Sequence, residues 1–209
     1  MKRGLVNNEI HVISNGKMPL IQFVEKAILI DPYVDYFHLR EKTTSAKDLS
    51  HCIDHMLHAG IQLDKIIVND RVDVALTKQV KRVQLNYQSI DTTDVKRTFP
   101  TLHVGKSVHS LREAIEEEEK GADSIMFGHI FDSPSKRAVL PRGLTSLLEV
   151  TKEVTIPVIA IGGIKPDNVK ETFSMGAKGI AIMSGIWESD NPLSDVKDYS
   201  RRVPHASTH

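Results

Sequence analysis

The sequence predicts a closed (β/α)8 TIM barrel of the α/β class, and three observations carry that prediction. Short β-rich runs alternate with longer helical patterns from end to end, in about eight units. The later strands are continuously apolar, as strands covered on both faces are, where a half-exposed sheet would alternate. The last two strands each run into a glycine-bearing turn. With 209 residues the chain is at the small end for such a barrel. The count and spacing of strands favour closure over an open doubly wound sheet. No linker or low-complexity segment interrupts the pattern, so residues 1–209 read as one domain.

Taken in order, Ile10 to Ile13 is the first strand, and Leu20 to Ile30 has helix-like apolar spacing. Tyr33 to Leu39 alternates as the second strand and meets the charged cluster Arg40-Glu41-Lys42. A helix from Ala46 to Ala59 is closed by Gly60, a residue suited to the left-handed end position. Lys65 to Val68 is the third strand, and Asn69-Asp70 reads as the N-cap pair of a short helix through Leu76. Arg82 to Leu85 is the fourth strand and Leu102 to Gly105 the fifth, with a helix from Leu111 to Lys120 behind it. The acidic run Glu116 to Glu119 falls late in that helix, where the macrodipole disfavours it, and reads as a solvated face. Ser124 to Phe127 is the sixth strand and Leu144 to Val150 its helix. Pro157 to Ile161 and Lys178 to Met183 complete the set, and Arg201 to His209 reads as a frayed tail.

Composition excludes several function classes. Apolar residues are 40% and charged residues 26% of the chain, and the formal charge balances at zero. That balance gives no bias toward nucleic acid or a membrane surface. No apolar run approaches the roughly 20 residues of a membrane span, and no apolar stretch follows the charged N-terminus as in a signal peptide. The lone Cys52 cannot form an internal disulfide and sits in an amphipathic helix, where it reads as packing. A cytoplasmic enzyme acting on a small molecule is the simplest fit. A homo-oligomer is compatible with the composition.

The chemistry is expected at the carboxyl ends of the strands. After the sixth strand, Gly128-His129-Ile130-Phe131-Asp132-Ser133-Pro134-Ser135-Lys136 turns polar at once, offering a histidine, two hydroxyls and a lysine. Gly162-Gly163 follows strand seven and Ser184-Gly185 follows strand eight. Glycines let backbone N–H groups approach an anion closely, and the last two loops of a barrel are a common phosphate cradle. Arg40 and Lys42 are candidates for the same mouth, with Glu41 pointing away by alternation. Ser107 reads equally well as an N-cap. His51 and His55 have i, i+4 spacing, but no carboxylate accompanies them in an apt position for a metal site.

Several motifs together resemble the thiamin phosphate synthase superfamily: His38-Leu39-Arg40-Glu41-Lys42, Val68-Asn69-Asp70-Arg71, Gly105-Lys106-Ser107-Val108-His109, Gly128-His129-Ile130-Phe131, Ser135-Lys136, Ala160-Ile161-Gly162-Gly163-Ile164 and Gly185-Ile186. The resemblance spans roughly Ile10 to Trp187 and implies a barrel that binds a thiazole phosphate. The synthases pair the Asn-Asp of the third loop with a second metal-binding aspartate, in a Gly-Gln-Glu-Asp turn. Here that turn is Asn86-Tyr87-Gln88-Ser89, Asp91 is displaced by two residues, and His38 stands where the synthases carry glutamine. The departures, and His129 where synthases tend to carry proline, resemble the TenI family of thiazole tautomerases. That resemblance implies an isomerase of thiamine biosynthesis, with no metal or other cofactor. His129 would be the catalytic acid/base group that aromatises a carboxythiazole phosphate tautomer. Arg40, Lys42, Ser107, Lys136, Gly162, Gly163, Ser184 and Gly185 would bind that substrate; Arg40, Lys106 and Ser107 are candidates for its carboxylate. The alternatives are an Mg²⁺-dependent thiamin phosphate synthase and a non-catalytic regulatory homologue.

Overall fold

The structure, a computed structural model, describes residues 8–133 and 140–204. Eight parallel strands pair in sequence order, and the last closes against the first. They are β1 (Glu9–Ile13), β2 (Tyr36–Leu39), β3 (Ile66–Asn69), β4 (Arg82–Leu85), β5 (His103–Val108), β6 (Ser124–Gly128), β7 (Val158–Ile161) and β8 (Gly179–Ile182). Around them run α1 (Leu20–Ile30), α2 (Ala46–His58), α3 (Val72–Thr77), α4 (Thr92–Thr98), α5 (Leu111–Glu119), α6 (Gly143–Glu153), α7 (Val169–Ser174), α8 (Ser184–Trp187) and α9 (Pro192–Arg202). The predicted (β/α)8 barrel is the observed fold. Among the described residues, no helix is long and apolar enough to cross a membrane.

Alternation along each strand divides the core in two. Outward residues such as Val12, Phe37, Val68, Leu85 and Phe127 join the large apolar layer under the helices. Inward residues Ile13, Met126, Ile159 and Ala181 form a small separate cluster inside the barrel. The helices dock by their apolar stripes. On α2, for example, Leu49, Cys52, Ile53 and Met56 are buried, and the Ser45 side chain caps the helix by accepting from the Asp48 amide at 3.1 Å. Cys52 is packed as expected, and burial, with the Glu41 charge nearby, pushes its thiol up to about 12.

The N-terminal half of the barrel interior is polar. His11 links Glu9 (3.2 Å) to His38 (2.9 Å), and a cavity of about 180 Å³ opens beside them toward Arg82 and His103. Burial works against the charge on Glu9, yet His11 and Lys178 hold its carboxyl below the usual range. Burial, reinforced by His11, holds the His38 imidazole well below its ordinary value. His103 falls to about 4 by burial, with the Arg82 charge adding to it. Both imidazoles are therefore neutral near pH 7.

Five local expectations are corrected. Strand two begins at Tyr36, because Asp31–Tyr33, with Pro32 near its start, forms a 3-10 turn. The fifth strand continues past Gly105 to Val108, which turns Lys106 outward under α5, its Nζ 3.9 Å from Glu117 Oε1. Lys106 therefore leaves the set of mouth residues. The acidic run is only partly solvated: Glu117 is buried and also accepts from Thr92 Oγ1 (2.5 Å), while Glu118 Oε1 accepts from Thr155. The expected cap pair before α3 is absent: Asp70 is left-handed (φ 63°), and its side chain makes no cap bond to that helix. The tail residues Arg201 and Arg202 end α9, whose Tyr199 hydroxyl donates to Ile164 O at 2.9 Å and anchors the loop after β7.

Candidate functional site at the carboxyl mouth

At the C-terminal ends of adjacent strands β7 and β8, two turns stand side by side. Gly162 (φ 97°) and Gly163 (φ 67°) follow β7, and Ser184 and Gly185 follow β8 at the start of α8. Among the described residues, the N–H groups of Gly163, Ser184 and Gly185 donate to no backbone carbonyl. The glycines also serve packing. A Cβ on Gly162 would strike the His129 side chain, one on Gly163 would lie 2.5 Å from Asp132 O, and one on Gly185 would lie 2.5 Å from the Tyr199 hydroxyl. The loops after β6 and β7 are thereby clamped together, with Ile130 and Phe131 amides donating to Ile161 and Gly162 carbonyls.

His129 opens the loop after β6 and is only 4% exposed. Its carbonyl accepts from the Arg142 amide at 2.8 Å. Arg40 stands just beyond β2, its amide donating to Ser14 Oγ at 2.8 Å. The Arg40 guanidinium is half-buried and makes no hydrogen bond or ion pair among the described residues. The Glu41 charge adds to burial in raising the Cys52 thiol. Lys42 is exposed two residues on. Ser107 is not an N-cap: it lies within β5, where its hydroxyl accepts from Gln84 Nε2 at 3.0 Å, and Ser110 caps α5 instead. Lys136 lies outside the described residues.

Across the mouth, the loop after β3 meets the loop after β4. Asp70 Oδ1 accepts from Asn86 Nδ2 at 2.6 Å and from the Ser89 hydroxyl. Ser89 Oγ in turn accepts from the Asn86 amide at 2.8 Å. Asp91 is committed elsewhere, capping α4 through the Thr93 amide and pairing with Lys120 at 3.0 Å. Among the described residues, no three His, Cys, Asp or Glu side chains converge as a metal site. The resemblance to synthases implies Mg²⁺ here, and one carboxylate already accepting two hydrogen bonds does not fit a resident ion of that kind.

Gln84, Asn86 and Ser89 were not singled out as partners of the expected site residues. Strand alternation carried a signal for Gln84, since Val83 and Leu85 on either side face outward.

The fold and mouth define a (β/α)8 barrel with its polar loops gathered at the carboxyl ends of the strands. The family model described as thiamine monophosphate synthase matches residues 10–186, and the chain belongs to that family. It is 34% identical to the thiamine-phosphate synthase of Pyrococcus abyssi over 191 residues, covering 90% of this chain and 89% of the relative. It is 36% identical to that of Shouchella clausii over 177 residues, covering 80% of each. Among solved structures, the thiamine phosphate pyrophosphorylase of Pyrococcus furiosus superposes with a TM-score of 0.80 at 28% identity, covering 93% and 94% of the two chains. A 3-hexulose-6-phosphate synthase shares the fold alone, with a TM-score of 0.72 at 15% identity over 94% of this chain and all of that one.

These similarities correct the expected thiazole tautomerase and its isomerase class. That reading rested on His38, the turn at Ser89 with Asp91 displaced, and His129, a few positions in separate segments. Similarity to synthases over nine-tenths of the chain outweighs them.

Proposed function

We propose that the chain is a thiamine-phosphate synthase, a transferase that joins a pyrimidine methyl diphosphate to a thiazole phosphate. In this reaction the thiazole nitrogen forms a C–N bond to the exocyclic methylene of the pyrimidine. The C–O bond to diphosphate breaks and the leaving group takes the electron pair. No electrons are exchanged with a redox cofactor, and no proton has to leave carbon. The similarity to the Pyrococcus abyssi synthase, at 34% identity over 90% of this chain, carries the reading.

The mouth has groups suited to these ligands. The N–H groups of Gly163, Ser184 and Gly185 would take the thiazole phosphate, as two adjacent turns with undonated amides can. Arg40 would meet the diphosphate, with Lys42 and Lys136 adding positive charge and Ser107 a hydroxyl. A guanidinium grips phosphate oxygens bidentately, which suits Arg40 to a leaving group that gains charge.

His129 has a supporting part in this reaction. Its buried side chain is wedged against Gly162 and holds the loop after β6 in place. The experiment is coupling of the two substrates with Mg²⁺, followed as thiamine phosphate, for wild type and His129→Ala. Wild type should form product, and the variant should keep its rate to within about 10-fold, because removing general acid/base help would cost on the order of 10²–10⁴-fold. Absence of product with wild type would overturn the proposal, and a thousandfold loss in the variant would overturn the supporting role of His129.

A further inference from the structure

We infer that the N-terminal end of the barrel, opposite the mouth, holds a second ligand site, which takes a small monocarboxylate with a compact apolar body. Strand alternation builds it. Tyr36 and Arg82 open β2 and β4 and point into the barrel, because Phe37 and Val83 beside them join the outer apolar layer. Deeper on the same inward face stand Ile67, Met126 and Ile159. The interior of such a barrel is ordinarily filled by layers of branched apolar side chains. Here the polar first layer leaves the cavity of about 180 Å³. An apolar cavity of about 150 Å³ holds benzene, so a single ring bearing a carboxylate sets the upper size of the ligand.

Two hydrogen-bond donors at this cavity have no use within the described chain. The Arg82 guanidinium is half-buried, with Cζ 4.7 Å from the centre of the Tyr36 ring. Among the described residues it makes no hydrogen bond or ion pair, and neither does the Tyr36 hydroxyl. Burial raises the Tyr36 phenol above its ordinary value, so it stays a donor near pH 7. The other polar groups around the cavity are taken. Glu9 meets His11 at 3.2 Å and Lys178 at 3.5 Å, and His103 Nε2 lies 3.1 Å from Ser124 Oγ. An unpartnered guanidinium matches a carboxylate, which it grips through two parallel hydrogen bonds. Arg82 also lines the groove outside the cavity, together with Asp35 and Asp64. The carboxylate therefore sits at the entrance, and the apolar body lies inside against Ile67, Met126 and Ile159. Asp31 in that groove is neutralised by Lys65 at 2.6 Å, while Asp35 and Asp64 are exposed. Their charge opposes a multiply charged anion more strongly than a singly charged one. The site thus rejects diphosphate.

The test is an NMR titration of the full chain with benzoate at pH 7. Wild type should bind one benzoate per chain with a Kd of roughly 1 mM or tighter, within reach of a ligand of about nine heavy atoms. Benzamide, with the same shape and no charge, should bind at least about 10-fold more weakly, and so should benzoate to Arg82→Gln. In protein carrying ¹³C-methyl methionine, saturation of the Met126 methyl, assigned with Met126→Leu, should pass to the benzoate ring protons. Excess inorganic diphosphate should leave benzoate bound. Circular dichroism checks that Arg82→Gln is folded; the methyl transfer and the diphosphate competition need only wild-type side chains at Arg82 and decide the matter if it is not. No binding of benzoate, equal affinity for benzamide, or unchanged affinity in folded Arg82→Gln would overturn the site. Absence of transfer from Met126, or displacement by diphosphate, would overturn it too, by placing benzoate elsewhere. No readout depends on turnover, so the result is independent of the synthase reading.

Discussion

Gly162→Ala should destabilise the protein by roughly 2–5 kcal/mol, combining a left-handed backbone cost of about 1–2 with an overpacking cost of about 1–3. Both contributions have a visible source. The residue sits at φ 97°, where an L side chain is strained, and its added methyl would collide with His129. Relief would require the loops after β6 and β7 to separate, breaking the Ile130–Ile161 and Phe131–Gly162 backbone hydrogen bonds. Urea unfolding read by circular dichroism measures the loss, which corresponds to a thermal midpoint lower by about 4–20 °C for a chain of this size. A change below about 0.5 kcal/mol would show that the two loops are not clamped as described.

Arg40→Ala should lower kcat/KM for coupling by about 10- to 150-fold while the thermal midpoint stays within about 2 °C, since a lost hydrogen bond to a charged group is worth about 1.5–3 kcal/mol. The reason for an activity loss without a stability loss is that the Arg40 side chain has no hydrogen bond or ion pair among the described residues. Its backbone, bonded to Ser14, is untouched by the substitution. Arg40→Lys should recover only part of the loss, because an ammonium cannot grip two phosphate oxygens in a fork. Steady-state kinetics with each substrate varied in turn would show which one Arg40 meets. An unchanged kcat/KM would remove Arg40 from the site.

The barrel was legible because its evidence is redundant. Every strand carries its own apolar pattern, so misplacing the start of β2 or the end of β5 leaves the fold intact. Short polar elements were not legible. The helix α4, Thr92–Thr98, has only Thr92 and Val95 buried, which is too little periodicity to stand out. The mouth was legible where chemistry depends on the backbone, as at Gly162, Gly163 and Gly185, because glycine marks a conformation or a close approach. It was less legible where a side chain's direction matters. Lys106 reads as a mouth residue until one knows that β5 runs on to Val108, since a single added residue of strand reverses the face. The function was misjudged for a related reason. Ser89 and His129 are conspicuous departures when read singly, whereas the similarity that outweighs them is spread over the whole chain.

The most direct test of the synthase account is ³¹P NMR of both substrates with Mg²⁺ and enzyme in one tube. The account predicts that diphosphate appears in step with thiamine phosphate, one for one, and that neither forms when the thiazole phosphate is left out. Diphosphate released without the thiazole, or both substrates left unchanged above the buffer control, would contradict it.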